Sequence, residues 1–244
     1  MKQGIFTITE NKPLTNDVMR MRLSGDVSAI TAPGQFINIK LDGLFLRRPI
    51  SVYDLDSTGV SIIYKVVGKG TAALAKMKSG DTLDVLTGLG NGYDLSKCGN
   101  DVCLLGGGVG VPPLYLLCKS LLAQGKHVFV VLGFNTKNEV FCEDAFRALG
   151  ADVTVTTVDG SYGVKGFVTD ALPKNYDYFY TCGPEPMLKA VYRSTKISGQ
   201  FSFEERMGCG FGACMGCSCK TISGYKRICK DGPVLEKEEI LWED

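Results

Sequence analysis

The sequence predicts an antiparallel β-barrel, then an α/β domain with a parallel sheet, then a short cysteine-rich segment. Three observations point to this. Residues 1–97 hold short β-branched runs separated by turn signals. Residues 98–199 alternate strand-like and helix-like runs. Five of the ten cysteines fall between Cys209 and Cys229, inside the last stretch, 200–244. A chain of 244 residues suits two cored domains and an appendage.

In the first part, FTITE, VMRMRL, QFINIKL, ISVYDL, VSIIYKVV and TLDVLTGL are alternating or apolar runs of strand length. Ala32-Pro33-Gly34 and Ser79-Gly80-Asp81 punctuate them. Many short strands so close together predict a small antiparallel barrel. One helix, Thr71–Lys78, interrupts them. In the second part, DVCLLGGG reads as a strand entering a glycine turn. PPLYLLCKSLLAQG follows as a helix, with proline at its start and glycine past its end. The strand KHVFVVLGF, the short helix EDAFRALG, the strands DVTVTTVD and YDYFYTCG, and the helix PEPMLKAVYRSTK complete an alternation that implies crossover helices. From about Gln200 the periodicity fades. That stretch is too small for a core of its own, so something else must hold it.

Composition excludes several function classes. Charged residues are 22%, apolar residues 45%, and the net charge is +1, which gives no basic field for nucleic acid or an anionic membrane. The opening MKQGIFTITENK lacks the apolar core of an export signal, so the cytoplasm is the expected compartment. The most apolar stretch, Val102–Cys118, contains Gly106-Gly107-Gly108 and Pro112-Pro113 and is a poor membrane span. Ten cysteines in a reducing compartment argue for a metal site rather than a disulfide framework. The single histidine, His127, lies in a strand-like run and reads as a sheet residue with a satisfied ring. One histidine excludes a Rieske centre, which needs two, and any His-rich zinc site.

Cys209, Cys214 and Cys217 have C-x4-C-x2-C spacing, and Cys229 follows further on. This is the plant-type [2Fe–2S] arrangement. Gly208, Gly210, Gly212 and Gly216 let the backbone bend around an inorganic core and bring N–H groups to its sulfurs. Structural zinc and a thiol relay are the alternatives; zinc sites of four cysteines usually come as two short-spaced pairs. Cys219 reads as a packed spare thiol, with replacement of Cys217 as a ligand the other option. Cys98, Cys103, Cys118 and Cys142 read as small core residues.

Three further motifs bear on cofactors. Arg48-Pro49-Ile50-Ser51 lies on a barrel strand; alone, it reads equally as a solvated face. Gly68-Lys69-Gly70-Thr71 opens a helix, where phosphate binds well, so a phosphate-bearing group could bridge Arg48 and Thr71. A simple helix cap at Thr71 is the plainer reading. The loop Gly106-Gly107-Gly108-Val109-Gly110 departs from G-x-G-x-x-G, yet still permits a dinucleotide to approach the carboxyl edge of the sheet. Cys182-Gly183-Pro184-Glu185-Pro186-Met187 is the second loop at that edge.

Together these motifs resemble the ferredoxin–NADP reductase superfamily over about 200 residues in the right order. With ERMGCGFGACMGCSCK and CKDGPV, the whole chain resembles the electron-transfer subunits of type B dihydroorotate dehydrogenase. The resemblance implies FAD held by Arg48, Pro49, Ile50 and Ser51, with Tyr64, Lys65 and Val66 lining its ring through backbone contacts and Gly70 and Thr71 taking the pyrophosphate. It implies a pyridine nucleotide at Gly107, Gly108, Gly110, Cys182, Gly183 and Pro184, and a [2Fe–2S] cluster on Cys209, Cys214, Cys217 and Cys229. Arg47 should face away from Arg48. The implied partner is an FMN-containing catalytic subunit, two copies of each forming a heterotetramer. Electrons from dihydroorotate would pass through that FMN, the cluster and FAD to NAD⁺, a step of pyrimidine biosynthesis, with no acid–base residue assigned in this chain. NAD is expected over NADP, because Asn135-Thr136-Lys137-Asn138-Glu139 carries no arginine for a 2′-phosphate, although Lys137 could serve one. A related subunit of an NADH-linked ferredoxin or sulfide oxidoreductase, and a non-catalytic iron–sulfur sensor, are the alternatives.

Overall fold

The computed structural model describes residues 1–242. Six strands, β1 (Lys2–Pro13), β2 (Val18–Ser24), β3 (Phe36–Ile39), β4 (Arg48–Asp56), β5 (Gly59–Lys65) and β6 (Thr82–Leu89), close an antiparallel barrel in the order β1-β2-β5-β4-β3-β6. Their alternation puts Phe6, Ile8, Met21, Leu23, Ile37, Ile39, Val52, Ile62 and Val85 inside, each buried. Burial of each such side chain stabilises the fold by roughly 1.5–3 kcal/mol. Helix α1 (Lys69–Lys76) packs at one end of the barrel. It begins two residues before the predicted start at Thr71, because Gly68, in extended backbone, occupies the N-cap position.

The second sheet begins with β7 (Asp101–Gly107), α2 (Pro113–Ala123), β8 (His127–Phe134), α3 (Glu143–Leu149) and β9 (Asp152–Thr157). The two-residue β10 (Val164–Lys165), β11 (Tyr178–Cys182) and α4 (Glu185–Ser194) follow. The chain then continues through β12 (Gly199–Ser202), a strand that spans the expected junction at residues 199 and 200. The cysteine-rich stretch contains a hairpin of β13 (Ser218–Thr221) and β14 (Gly224–Arg227), then β15 (Val234–Glu236). The sheet order is β10-β9-β8-β7-β11-β12-β15, parallel throughout except that β15 runs antiparallel to β12.

The parts share cores. Helix α2 lies between its own sheet and β4 of the barrel. There Tyr115 stacks on Tyr53 with ring centroids 4.4 Å apart, and Lys119 pairs with Asp54 at 2.9 Å. The cysteine-rich stretch lays Cys217, Ile228, Cys229, Leu235 and Ile240 into one buried cluster with Phe36 and Leu89 of the barrel and Phe179 and Phe201 of the sheet. Trp242 packs on Phe203 and Tyr192. Among the described residues, no helix is long and apolar enough to cross a membrane.

His127 opens β8 at the amino edge of the parallel sheet, between Asp101 of β7 and Asp152 of β9. Its ring nitrogens lie 2.8 Å from Asp101 Oδ1 and 2.9 Å from Asp152 Oδ2. The hydrogen bond to Asp101, then that to Asp152, raises its pKa above the ordinary 6.5. A group whose pKa is raised by folding stabilises fully below its unfolded pKa and loses that contribution as pH rises through the folded value. The ring is 52% exposed, so screening holds the contribution below about 1 kcal/mol. The His127→Ala variant should therefore melt at most about 3 °C below the native chain near pH 6. The difference should shrink as pH rises past the folded pKa. A melting deficit equal at about pH 6 and about pH 9 would contradict this.

Candidate functional site

The first locus is at the barrel end. Adjacent residues on a strand face opposite ways, and the two arginines do so here. Arg47 gives its guanidinium to Asp84 Oδ1 at 3.0 Å and to the carbonyls of Asp84 and Asn38. Arg48 crosses to the amino end of α1, where a Cβ on Gly70 would stand 2.2 Å from its Nε. Only glycine admits the guanidinium so close to the helix. The first N–H groups of a helix have no carbonyl partner within it, so these donors and the Arg48 cation, which also donates to Leu46 O, lie at the same end of α1. This fits a phosphate-bearing group. The Thr71 hydroxyl is used locally, accepting from the N–H groups of Val67 at 3.0 Å and Gly68 at 3.2 Å.

Between β4 and β5 the ladder ends at Val52 opposite Ile62, so Arg48–Ser51 and Ile63–Val66 border a gap. On its other side β4 is paired with β3 from Arg48 to Ser51. The Val66 N–H is donated to Asp17 O at 2.7 Å, toward β2. In an antiparallel ladder residues alternate in the side to which N–H and C=O point. Tyr64 therefore shares the β2 side, and Lys65 turns its N–H and C=O to the gap. The Tyr64 ring lies in the barrel core, with its hydroxyl donating to Asn11 Oδ1 at 3.1 Å. The Lys65 ammonium pairs with Asp17 at 3.0 Å. Of these three residues, Lys65 presents free backbone to the gap.

The second locus is the carboxyl edge of the parallel sheet, where Gly106 of β7 pairs with Cys182 of β11. A Cβ on Gly110 would stand 2.3 Å from Cys182 O, and one on Gly107 would stand 2.5 Å from Met187 Sδ. The two predicted loops thus interlock through Gly107, Gly110, Cys182, Gly183 and Pro184. A Cβ on Gly108 would meet nothing within 4 Å, which leaves open space above the turn. Burial pushes the Cys182 thiol up to about 12 and keeps it neutral. Beyond β8, Glu139 Oε2 accepts from Asn135 Nδ2 at 2.9 Å, and the Lys137 ammonium lies 5.7 Å from the Tyr162 ring centre.

The third locus is the cysteine loop. Its thiols form two pairs. Cys209 and Cys214 each donate a backbone N–H to the other's Sγ at 3.4 Å, and the Cys229 N–H reaches Cys217 Sγ at 3.4 Å. The first pair is nearer the surface; the second is 2% exposed at both residues. Burial opposes ionisation of Cys209, but N–H groups of Phe211, Cys214 and Ala213 outweigh it and bring the thiol down to about 6. Burial, then the adjacent Cys217, push Cys229 up to about 12. Two buried thiols in contact become thiolates together only beside a compensating cation. Among the described residues no three Cys, His, Asp or Glu side chains surround one point. Thiols arranged as two pairs fit a dinuclear cluster in which each iron takes two cysteines. Cys219 lies on β13, packed against the shared core, and burial raises its pKa.

Two asparagines absent from the motif reading fasten this loop to the barrel. Asn38 Nδ2 donates to Cys209 O at 3.2 Å. Asn91 donates through Nδ2 to Val234 O at 2.8 Å, and its own Oδ1 accepts from the Val234 N–H at 3.1 Å. A polar residue between two isoleucines in QFINIKL was the available signal for the first; Asn91, in a glycine-rich turn, offered none.

A barrel with an anion site at α1, a parallel sheet with two interlocked edge loops and a paired-cysteine segment define a flavin- and nicotinamide-linked reductase carrying an iron–sulfur module. Family models match this division: an oxidoreductase NAD-binding domain at residues 104–193, and the iron–sulfur cluster binding domain of dihydroorotate dehydrogenase B at 204–241. The chain is 44% identical to the dihydroorotate dehydrogenase B (NAD(+)) electron transfer subunit of Fusobacterium nucleatum, covering 98% of this chain and 99% of that protein. It is also 44% identical to the subunit of the same name in Bacillus pumilus, covering 98% of each. Among solved structures, a chain of the NADH-dependent reduced ferredoxin–NADP oxidoreductase superposes with a TM-score of 0.88 at 32% identity, covering 98% of this chain and 90% of that one. A ferredoxin NADP⁺ reductase from Neisseria gonorrhoeae, solved with bound FAD and NADP, shares the fold over 80% of this chain and 90% of its own, with a TM-score of 0.70 at 19% identity. The chain belongs to the family of dihydroorotate dehydrogenase B (NAD(+)) electron transfer subunits. It is an oxidoreductase subunit whose cofactors are FAD and an iron–sulfur cluster, with NAD as the nucleotide.

Two predictions follow from these geometries. Serine at Cys209, Cys214, Cys217 or Cys229 should abolish the visible absorbance and paramagnetic signal of a [2Fe–2S] centre, while Cys219→Ser should leave both. Retention in Cys217→Ser with loss in Cys219→Ser would reverse that assignment. Arg48→Ala should weaken FAD retention by about 1.5–3 kcal/mol, the value of one charge-assisted contact. Cluster content should be unchanged, and native FAD content in the variant, measured by flavin fluorescence after denaturation, would count against Arg48 as a ligand.

Proposed function

We propose that this chain carries electrons removed from dihydroorotate by an FMN-containing catalytic partner to NAD⁺. The residue assignments, the division at residues 97 and 199, an assembly of two copies of each subunit and a cytoplasmic location belong to this proposal. The observation that supports it most is the continuity of the three loci. Arg48 at Gly70, the interlocked loops at Gly110 and Cys182, and the cysteine pairs tied down by Asn38 and Asn91 share one packed frame.

When bound, FAD exchanges two electrons with a nicotinamide and one at a time with a [2Fe–2S] centre, which is the conversion the chain's two ends require. This chain's residues bind and align. Arg48 and the amino end of α1 neutralise phosphate charge; Pro49, Ile50, Ser51 and the Lys65 backbone border the ring site. The Gly107–Gly110 turn, with Cys182, Gly183 and Pro184, sets how closely the nicotinamide end approaches. The turn after β8, Asn135–Glu139, carries an acidic residue and no arginine, which favours a ribose hydroxyl over a 2′-phosphate. Hydride transfer depends on alignment, and no residue is assigned as acid or base. Phe211 and Met215, 43% and 55% exposed, flank Cys214 on the loop and give a partner an apolar surface beside the outer cysteine pair.

The 32% identity to a chain of the NADH-dependent reduced ferredoxin–NADP oxidoreductase favours one second reading, a ferredoxin-linked partner. An assay of NADH formation separates them. The isolated chain should pass electrons from NADH to artificial acceptors and leave dihydroorotate untouched. Adding the FMN-containing catalytic subunit should produce dihydroorotate-dependent NADH. Full dihydroorotate oxidation by this chain alone would overturn the relay reading; inactivity with a competent catalytic subunit would favour the ferredoxin-linked one.

A further inference from the structure

Asn38 sits in β3 between Ile37 and Ile39, both of which lie in the barrel core. Alternation turns its side chain the other way, to the face of Phe36, which packs in the cluster shared with the cysteine segment. It is 1% exposed. Nδ2 donates to Cys209 O at 3.2 Å, while Oδ1 is buried and accepts no hydrogen bond among the described residues. Gly210 packs on the amide: its φ is +81°, and a Cβ there would stand 2.3 Å from Nδ2. Across the ladder Asn38 is opposite Pro49, on the strand that carries Arg48 to the phosphate site. Its backbone carbonyl accepts from Arg47 Nη1 at 3.3 Å, so the peptide that bears it is itself held.

A buried amide oxygen without a donor is unfavourable, because it has given up water and gained nothing in exchange. Leucine has the same branched skeleton, with larger methyl ends, and no such penalty. The asparagine is therefore accounted for by its N–H end, which points at the peptide of the first cysteine in the cluster motif. Donors outside the ligand set orient metal ligands and favour added negative charge on the metal–sulfur centre, which raises its reduction potential.

We propose that Asn38 is a positioning residue for the cluster site: its amide fixes the Cys209 peptide against the flavin-side strand and raises the reduction potential of the centre held there. This rests on the cysteine loop being a [2Fe–2S] site. Removing the donor lowers the potential, and replacing it with a carboxylate lowers it further, giving the order native above Asn38→Leu above Asn38→Asp. Asn38→Ser, too short to reach Cys209 O and too small to clash with Gly210, loses the donor without added bulk.

The test uses the full chain loaded with its cofactors, native and in the three variants. Iron and FAD content, melting temperature, the paramagnetic spectrum of the reduced centre and its potential by spectroscopic redox titration are measured. Native FAD content, a melting temperature for Asn38→Leu no lower than native, and a potential shifted down in the stated order with an altered spectrum are expected. Folded, FAD-loaded variants that cannot retain iron also support the positioning role. A native potential and spectrum in Asn38→Leu and Asn38→Ser would overturn the proposal. So would failure of all three variants to fold, which would make Asn38 a packing residue only. A native chain that itself lacks the [2Fe–2S] signal would overturn the cysteine assignment and this proposal with it; that case is recognised because native and variants fail alike.

Discussion

The antiparallel pairing of β15 with β12 fastens the cysteine segment to the molecule, with Ser202 opposite Val234, Phe201 opposite Leu235 and Gln200 opposite Glu236. A segment this short cannot bury enough apolar surface by itself to offset the entropy of ordering its backbone. By adding an edge strand to the nucleotide sheet, it places Leu235 and Ile240 in a core already built by Phe179 and Phe201. Cys217 and Cys229 then come to lie in that core. The inner cysteine pair is buried because the strand pairing pulls it in, and the outer pair stays near solvent because Gly208–Gly216 forms no further strand.

A second contact sets the other distance that matters. The proposed anion site at Gly70 belongs to the barrel, and the interlocked loops at Gly110 and Cys182 belong to the sheet. Helix α2 joins them through the Tyr53–Tyr115 stack and the Lys119–Asp54 pair. The ion pair is partly exposed and contributes little; the stacked rings and buried apolar surface around them carry the interface. Because α2 begins at the glycine turn itself, whatever holds the helix against β4 also holds the nucleotide loop against the barrel. On the proposed assignments, alignment of a nicotinamide with a flavin is thus a consequence of helix packing.

Most barrel strands were legible in the sequence because they are long enough for alternation to show, as Met19, Met21 and Leu23 do on β2. The edge loops and the cysteine spacing were legible because their chemistry requires particular residue types at particular intervals. What escaped depended on partners distant in sequence. The strands β12 and β15 have four and three residues, too few for a period, and are strands only because β11 and each other lie alongside. The clamps by Asn38 and Asn91 span most of the chain, and an asparagine in a strand or turn has many ordinary explanations. At Thr71 the plainer reading, a helix cap, is present: its hydroxyl accepts from the Val67 and Gly68 N–H groups of the same turn.

The central claim is that one frame relays electrons between the paired cysteines and a nicotinamide by way of the barrel-end site, a path that NADH drives in reverse. Anaerobic rapid mixing of the purified chain with NADH tests it most directly, with flavin absorbance followed by stopped flow and the cluster's paramagnetic signal by freeze-quench. Bleaching of the flavin, with the signal of the reduced [2Fe–2S] centre rising only after bleaching begins, is the predicted result. Complete bleaching with a cluster that stays oxidised, or a cluster reduced while the flavin remains oxidised, would contradict it.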